Sequence, residues 1–218
     1  MEQSSLPAVE LVVRTIAQTA IANEQYFCQL DSVVGDGDFG YSLARGFEKV
    51  LDEFAGFDRS SPGAFLKKAG LVIASRVGGT SGPLWGTAFM RAGGAAGTKP
   101  VLTGEDVVAM LRAAVEGIKQ RGGASLGDKT LLDALVPAID RLEADLQNGG
   151  IEALANAAKA AEEAAAATTG MIAKRGRASY TGERSIGSPD AGAVAIGVLL
   201  NRLSAAWRDF CSERNQSS

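Results

Sequence analysis

The sequence predicts an all-α fold, with eight helices in an up-and-down antiparallel bundle or barrel. Three observations carry this. Apolar residues return every three or four positions through most of the 218 residues. Alternating, strand-like patterns are hard to find. The segments between periodic stretches are short, as antiparallel neighbours require. A chain of this length can bury a substantial core, and one domain over 1–218 is expected.

Taken in order, a first helix over 6–26 carries Val12, Ile16, Thr19, Ala20 and Asn23 at helical spacing, and Cys28 follows on an apolar face and reads as core. A second helix covers 41–54. Ser61-Pro62 supplies an N-cap and a proline at the first helical position, opening a third to 76. A fourth starts near Gly82-Pro83 and ends at Gly93-Gly94. Thr103 caps a fifth, lined by Val107, Leu111, Val115 and Ile118. Asp128 is expected to cap a sixth, with Leu131, Leu135, Ile139, Leu142 and Leu146 on one face. Gly149-Gly150 breaks the chain before a seventh, 151–174, whose alanines allow close approach of neighbours or simply reflect high helix propensity. Asp190 caps the eighth, to about 208, and the last residues are expected to fray.

This topology sends the connections after helices one, three, five and seven to the same end. Those are residues 31–40, 77–82, 121–129 and 174–190, and all the unusual chemistry falls on them. The connections near 55–61, 95–103 and 147–150 lie at the other end and look ordinary.

Composition narrows the chemistry. A net charge of −3 and a pI near 5.2 argue against nucleic acid or an anionic membrane as partner. The start, Met-Glu-Gln-Ser-Ser, lacks the basic and apolar regions of a signal peptide, and the apolar run Ala191–Leu200 is too short to span a bilayer. A soluble cytoplasmic protein is expected. The chain has no histidine, so a Ser-His-Asp relay and any His-ligated metal are excluded; Cys28 and Cys211 cannot build a Cys₄ zinc site. A metal here must be held by oxygen.

Leu30-Asp31-Ser32-Val33-Val34-Gly35-Asp36-Gly37-Asp38-Phe39-Gly40 places the carboxylates of Asp31, Asp36 and Asp38 close together among glycines. Like charges held so near drive proton uptake unless a cation intervenes, and Mg²⁺ accepts a few carboxylates plus water and phosphate oxygens. The alternative is a solvated acidic turn. Gly35-x-Gly37-x-x-Gly40 matches a dinucleotide fingerprint by letters, but two carboxylates inside it would repel phosphate. Counted as an EF-hand from Asp36, Phe47 falls where a bidentate Glu is required.

Val77-Gly78-Gly79-Thr80-Ser81-Gly82-Pro83 opens a helix, so its N–H groups and the Thr80 and Ser81 hydroxyls offer a phosphate site or an ordinary capped turn. Gly122-Gly123-Ala124-Ser125-Leu126-Gly127-Asp128-Lys129-Thr130 fails as a Walker A loop because Asp128 intrudes and a helix, not a strand, precedes it. Lys129 there is either a phosphate contact or a solvated lysine. Residues 174–190 concentrate arginines, either a basic surface loop or a bidentate phosphate clamp. Together these elements favour a nucleotide polyphosphate site and phosphoryl transfer.

Four blocks carry a resemblance to a known family. They are Gly35-Asp36-Gly37-Asp38, Gly78-Gly79-Thr80-Ser81-Gly82-Pro83-Leu84, Gly127-Asp128-Lys129-Thr130, and the run 176–187 from Gly176-Arg177 to Ile186-Gly187. In order and across nearly the whole chain they resemble the nucleotide-binding L subunit (DhaL) of dihydroxyacetone kinases. The resemblance implies an eight-helix barrel with ADP or ATP bound at one end through two Mg²⁺ ions. It implies Asp31, Asp36 and Asp38 as metal ligands. Phe39, Gly40, Tyr41, Ser42, Thr80, Ser81, Gly122, Leu131, Arg177, Asp190, Ala191 and Gly192 would surround the nucleotide.

The chain departs from the family at Phe39, where His is usual, at Ser42, where Asn is usual, and at Ser188-Pro189-Asp190-Ala191-Gly192, where His-x-Asp-Pro-Gly is usual. A phenylalanine at 39 would pack on the base or shield the site. In this family a separate K subunit traps the ketose through a histidine, which this chain lacks. The resemblance therefore implies a K-subunit partner, and as donor either ATP directly or a phosphotransferase-system protein recharging bound ADP. Two other functions fit the same residues: a non-catalytic nucleotide-binding regulatory partner, and a metal-dependent phosphohydrolase.

Overall fold

The computed structural model describes residues 4–216, and those residues form helices and no strand. The first three residues of the N-terminal stretch and the last two of the expected frayed end lie outside the described residues. Nine α-helices are present among the described residues: α1 (Leu6–Ala22), α2 (Glu24–Ser32), α3 (Phe39–Glu53), α4 (Pro62–Arg76), α5 (Ser81–Ala96), α6 (Gly104–Gly122), α7 (Leu132–Ala144), α8 (Gly150–Ala167) and α9 (Ala191–Gln216).

The extra helix comes from a break in the expected first one. At Asn23 the backbone leaves helical geometry (φ −107°, ψ 16°). Its N–H and its side-chain Nδ2 both donate to the Thr19 carbonyl, at 3.1 and 2.8 Å. Asparagine competes for backbone acceptors in this way, which is why it ends helices that periodicity alone would continue. At the other terminus α9 runs to Gln216, beyond the expected end near 208. The seventh helix expected over 151–174 ends with its alanine run: α8 stops at Ala167 and gives way to a 3₁₀ turn, Thr168–Gly170.

Each helix packs on its chain neighbour from α3 to α9, α1 packs on both α3 and α9, and α2 lies against α3. The ring α1-α3-α4-α5-α6-α7-α8-α9 is thus closed, the eight-membered barrel that the periodicity predicts. Phe27, Phe47, Phe65, Leu43, Ile73 and Val13 are fully buried within it, and Phe47 meets Trp85 and Phe89 edge to face. A second apolar layer of Val108, Val115, Ile118, Leu132 and Ile139 joins α6 to α7. The alanines of α8 have a packing role: Ala153, Ala157, Ala161 and Ala165 are buried, and a Cβ on Gly197 of α9 would stand 3.4 Å from the Glu162 backbone.

The helix starts follow elementary capping. Ser61 accepts from Ala64 N–H at 3.1 Å, and Thr103 and Asp106 form a reciprocal capping box. Asp190 accepts from Ala193 N–H at 2.7 Å to open α9. Asp128 does not cap the helix that follows it, because α7 begins later, at Leu132. The N-cap position falls to Leu131, with no side-chain cap, and Asp133 in the first turn ties down the preceding turn, accepting from Gly127 N–H at 2.5 Å and Thr130 N–H at 2.7 Å.

Candidate functional site

Contacts between loops place the four singular connections at one pole. Arg177 ion-pairs with Asp36 across the chain. A Cβ on Gly78 would lie 3.0 Å from Ser42 Oγ, and one on Gly123 would lie 3.8 Å from an Arg175 nitrogen. Lys174 N–H donates to the Asp128 carbonyl at 3.0 Å. Links at the opposite pole join the start of α1 to the α5–α6 connection, as in Ser5 N–H to Pro100 O at 2.8 Å.

At the site pole, Asp31 sits in the last turn of α2 and organises the turn that follows. Its Oδ2 accepts from Gly37 N–H at 2.9 Å and Phe39 N–H at 3.4 Å. Gly35 must lack a side chain here, since a Cβ would fall 2.2 Å from Asp31 Oδ1, and Gly37 adopts φ +74°. Asp38 occupies the N-cap position of α3 without using its side chain as a cap. One carboxylate oxygen from each of Asp31, Asp36 and Asp38 therefore lies within 4.8 Å of the others. Partial desolvation, then the charge of Asp36, push the Asp38 carboxyl above the ordinary carboxylate range, with Arg177 pulling the other way. This is a set of hard oxygens whose mutual repulsion a small divalent cation would relieve, so the donor set fits Mg²⁺.

The other expected site residues fall as follows. Phe39, Gly40, Tyr41 and Ser42 form the first turn of α3 beside the aspartates. The Phe39 ring lies against Phe27, with centroids 6.0 Å apart. Tyr41 is exposed. Gly40 lets α3 abut α2: a Cβ would meet the Glu24 carbonyl oxygen at 2.1 Å and Cys28 N at 2.7 Å. Cys28 itself is half-buried, with Sγ accepting from Tyr41 N–H at 3.2 Å. Thr80 and Ser81 stand at the N-terminus of α5, where no side-chain cap is made. Gly122 ends α6 beside Leu84, 3.0 Å from where its Cβ would be. Leu131 and the Asp190-Ala191-Gly192 segment meet, with 3.2 Å between Leu131 Cβ and a Gly192 Cβ. Burial raises the Asp190 carboxyl to about 6, against the opposing hydrogen bond from Ala193 N–H.

Two residues behave differently from expectation. Asp128 is buried and accepts from Ser125 N–H at 2.9 Å and Arg175 Nε at 3.1 Å. The Ser125 hydrogen bond, followed by Arg175, holds its carboxyl below the usual range. Lys129 is neither solvated nor turned to a phosphate position. Only 2% exposed, it donates to the carbonyls of Met171 (3.1 Å), Ser188 (2.7 Å) and Ser185. Lys129, Asp133, Thr168 and Ser185 are buried polar anchors of this pole that the sequence reading did not single out as such. Their partners are backbone groups between 3 and 59 residues away, which side-chain periodicity does not encode.

The DAK2 domain family matches residues 33–205, from just after Asp31 to the middle of α9. The chain belongs to the DAK2 domain family. Among DAK2 relatives, the PEP-dependent dihydroxyacetone kinase ADP-binding subunit DhaL of Escherichia coli (strain K12) is 40% identical over 187 residues, covering 85% of this chain and 89% of that protein. The ADP-binding subunit DhaL of PEP-dependent dihydroxyacetone kinase 2 from Listeria innocua is 36% identical over 179 residues, covering 81% and 83%. A crystal structure of the dihydroxyacetone kinase from C. freundii in complex with AMP-PNP and Mg²⁺ superposes with a TM-score of 0.70 at 25% identity. The likeness covers 94% of this chain and 35% of that longer one. No helix of the described residues is long and apolar enough to cross a membrane.

Proposed function

We propose that this chain is the ADP- or ATP-binding, Mg²⁺-dependent phosphoryl-transfer subunit of a dihydroxyacetone-type kinase, acting as one unit over 1–218 in the cytoplasm. The observation that carries the reading is the meeting of Asp31, Asp36 and Asp38 within 4.8 Å at one pole. The E. coli and L. innocua relatives named as ADP-binding subunits support it.

In this reading Asp31, Asp36 and Asp38 hold two Mg²⁺ ions, which when bound neutralise polyphosphate charge. The chain's own groups do the positioning. At the start of α3 the N–H groups of Phe39, Tyr41 and Ser42 are already bonded to Asp31 Oδ2, Cys28 Sγ and the Asp38 carbonyl. Gly40 N–H, the Ser42 hydroxyl and the Thr80 and Ser81 groups at the start of α5 therefore suit phosphate oxygens, with Phe39 and Tyr41 beside them. Arg177 presents a guanidinium for bidentate phosphate contact. Gly122, Leu131, Asp190, Ala191 and Gly192 line the remainder, where Leu131 offers apolar contact to a base.

A histidine-free chain cannot trap a ketose carbonyl as the family's K subunit does, so the acceptor is held by that separate subunit. Exposed Val33, Tyr41, Leu126 and Tyr180 on the loops and first turns of this pole suit such a partner. The phosphoryl donor is ATP, or a phosphotransferase-system protein that recharges bound ADP. The word PEP-dependent in the relatives' names favours the second.

Calorimetry of the whole chain with ADP, with and without Mg²⁺, tests this. Asp36→Ala should weaken Mg²⁺-dependent ADP binding on the order of 100-fold while circular dichroism keeps its helical signal. Retained affinity in that variant would count against the assignment. One observation favours a second reading, a regulatory nucleotide-binding partner: Phe39 replaces the usual histidine and turns its ring against Phe27. Mixing the chain with a K-type subunit, ATP and ketose separates the two, since a regulatory partner yields no sugar phosphate.

A further inference from the structure

A buried lysine ammonium ordinarily pairs with a carboxylate. Lys129 has no ion-pair partner among the described residues within salt-bridge distance. Its three acceptors are carbonyls, and all belong to one segment. Met171 lies before, and Ser185 and Ser188 at the end of and after, the 3₁₀ stretch Arg177–Ser185. One amine thus gathers both flanks of a strap that arches over the site pole. Further bonds close the same strap at its base: Ala173 N–H to Ser185 Oγ at 2.9 Å, Ser185 Oγ to the Gly182 carbonyl at 2.6 Å, and Gly187 N–H to the Thr169 carbonyl at 2.9 Å.

The backbone of Lys129 gives a second, independent sign. Its φ is +61°, and it is the non-glycine residue with positive φ among the described residues. Glycine would occupy that conformation with less strain. Such outliers persist where the surroundings over-determine them, and here the side chain is what the position requires. The strap so held carries Arg177, which reaches Asp36 in the aspartate cluster.

We propose that Lys129 is a positioning residue, whose ammonium fixes the 171–188 strap and thereby sets Arg177 against the nucleotide phosphates. The proposal rests on the nucleotide-binding reading above, and its test separates the two. Lys129→Met keeps the stem and removes the amine. In calorimetry with ADP and Mg²⁺ it should bind about tenfold more weakly than wild type, the size of loss expected when a supporting contact to a binding group is removed. In an Arg177→Ala background the same substitution should add nothing, because its effect passes through that guanidinium. Hydrogen exchange should rise at the amides of 172–187 and stay unchanged in the helices of the ring.

Wild-type affinity in Lys129→Met, or losses that multiply in the double variant, would overturn the proposal and leave the lysine a plain fold anchor. Should Lys129→Met not fold, Ser185→Ala releases the same strap from its base. Raised exchange at 172–187 with unchanged ADP affinity in that variant would overturn the proposal equally. A wild-type chain that binds no ADP refutes the nucleotide reading instead. The tie itself is then judged by exchange alone, with unchanged protection at 172–187 in Lys129→Met counting as its refutation.

Discussion

The two poles of the barrel close in different ways. Away from the aspartates, side chains hold the end shut. Phe54, Phe57 and Phe65 stack with centroids 5.2–5.7 Å apart. Arg14 sits 4.3 Å over the Phe54 ring, and Arg59 pairs with Glu10 at 2.6 Å while covering Phe65. At the aspartate pole irregular backbone turns, tied by buried polar side chains such as Lys129 and Ser185, do this work. Gly37, Gly79, Gly123, Gly127, Gly176, Gly182 and Gly187 all take positive φ there, joined by Lys129, whereas the other pole has Gly97 and Gly149. Turns of that kind aim N–H groups and carboxylates at a common point, at a cost in chain entropy. One pole is therefore built for cohesion and the other for aim.

If that division holds, damage at one pole should leave the property of the other intact. Phe65→Ala removes a fully buried ring and should lower unfolding free energy by about 3–5 kcal/mol, read by urea denaturation, with ADP affinity unchanged wherever the variant is folded. A matching loss of affinity would break the comparison. Asp36→Ala is the converse case, with affinity lost on the order of 100-fold and the urea midpoint within error of wild type.

A smaller effect sharpens the picture. Burial raises Asp190 from its ordinary value to about 6, so the folded chain binds a proton that the unfolded chain releases. The associated stability is full below pH 4 and is lost as pH rises through 6, an upper bound of about 3 kcal/mol. Asp190→Asn keeps the cap to Ala193 and should flatten this dependence; equal pH profiles for the two proteins would refute it. Smallest of all, Thr103→Ala at the far pole removes one side of a capping box and should cost about 1 kcal/mol, with no change in ADP binding.

The barrel was legible because helical periodicity and helix starts are local signals: Ser61, Thr103 and Asp190 announce their caps within three residues. The aspartate triplet was legible for the same reason, since its members lie within eight positions. What escaped depends on backbone groups, near or far along the chain, that side-chain periodicity does not encode. Asn23 ends α1 by competing for a carbonyl that periodicity cannot see. Asp128 does not cap α7, which starts without a side-chain cap, and Asp133 instead accepts from two N–H groups of the turn before it. Lys129 finds its acceptors in a segment that only folding brings near.

The bare contact of α3 on α2 at Gly40 bears on the spacing of the acids. Asp31 rides on one of these helices and Asp38 on the start of the other, and at Gly40 no side chain stands between the two backbones. The spacing of the two Cα positions is then set by the helix pair itself. In the function proposed above, a cation held by these acids would depend on that joint for the spacing of its ligands. Wedging the joint with Gly40→Ala, whose Cβ would stand 2.1 Å from the Glu24 carbonyl oxygen, should accordingly weaken Mg²⁺-dependent ADP binding in calorimetry if the aspartates hold the ion as proposed.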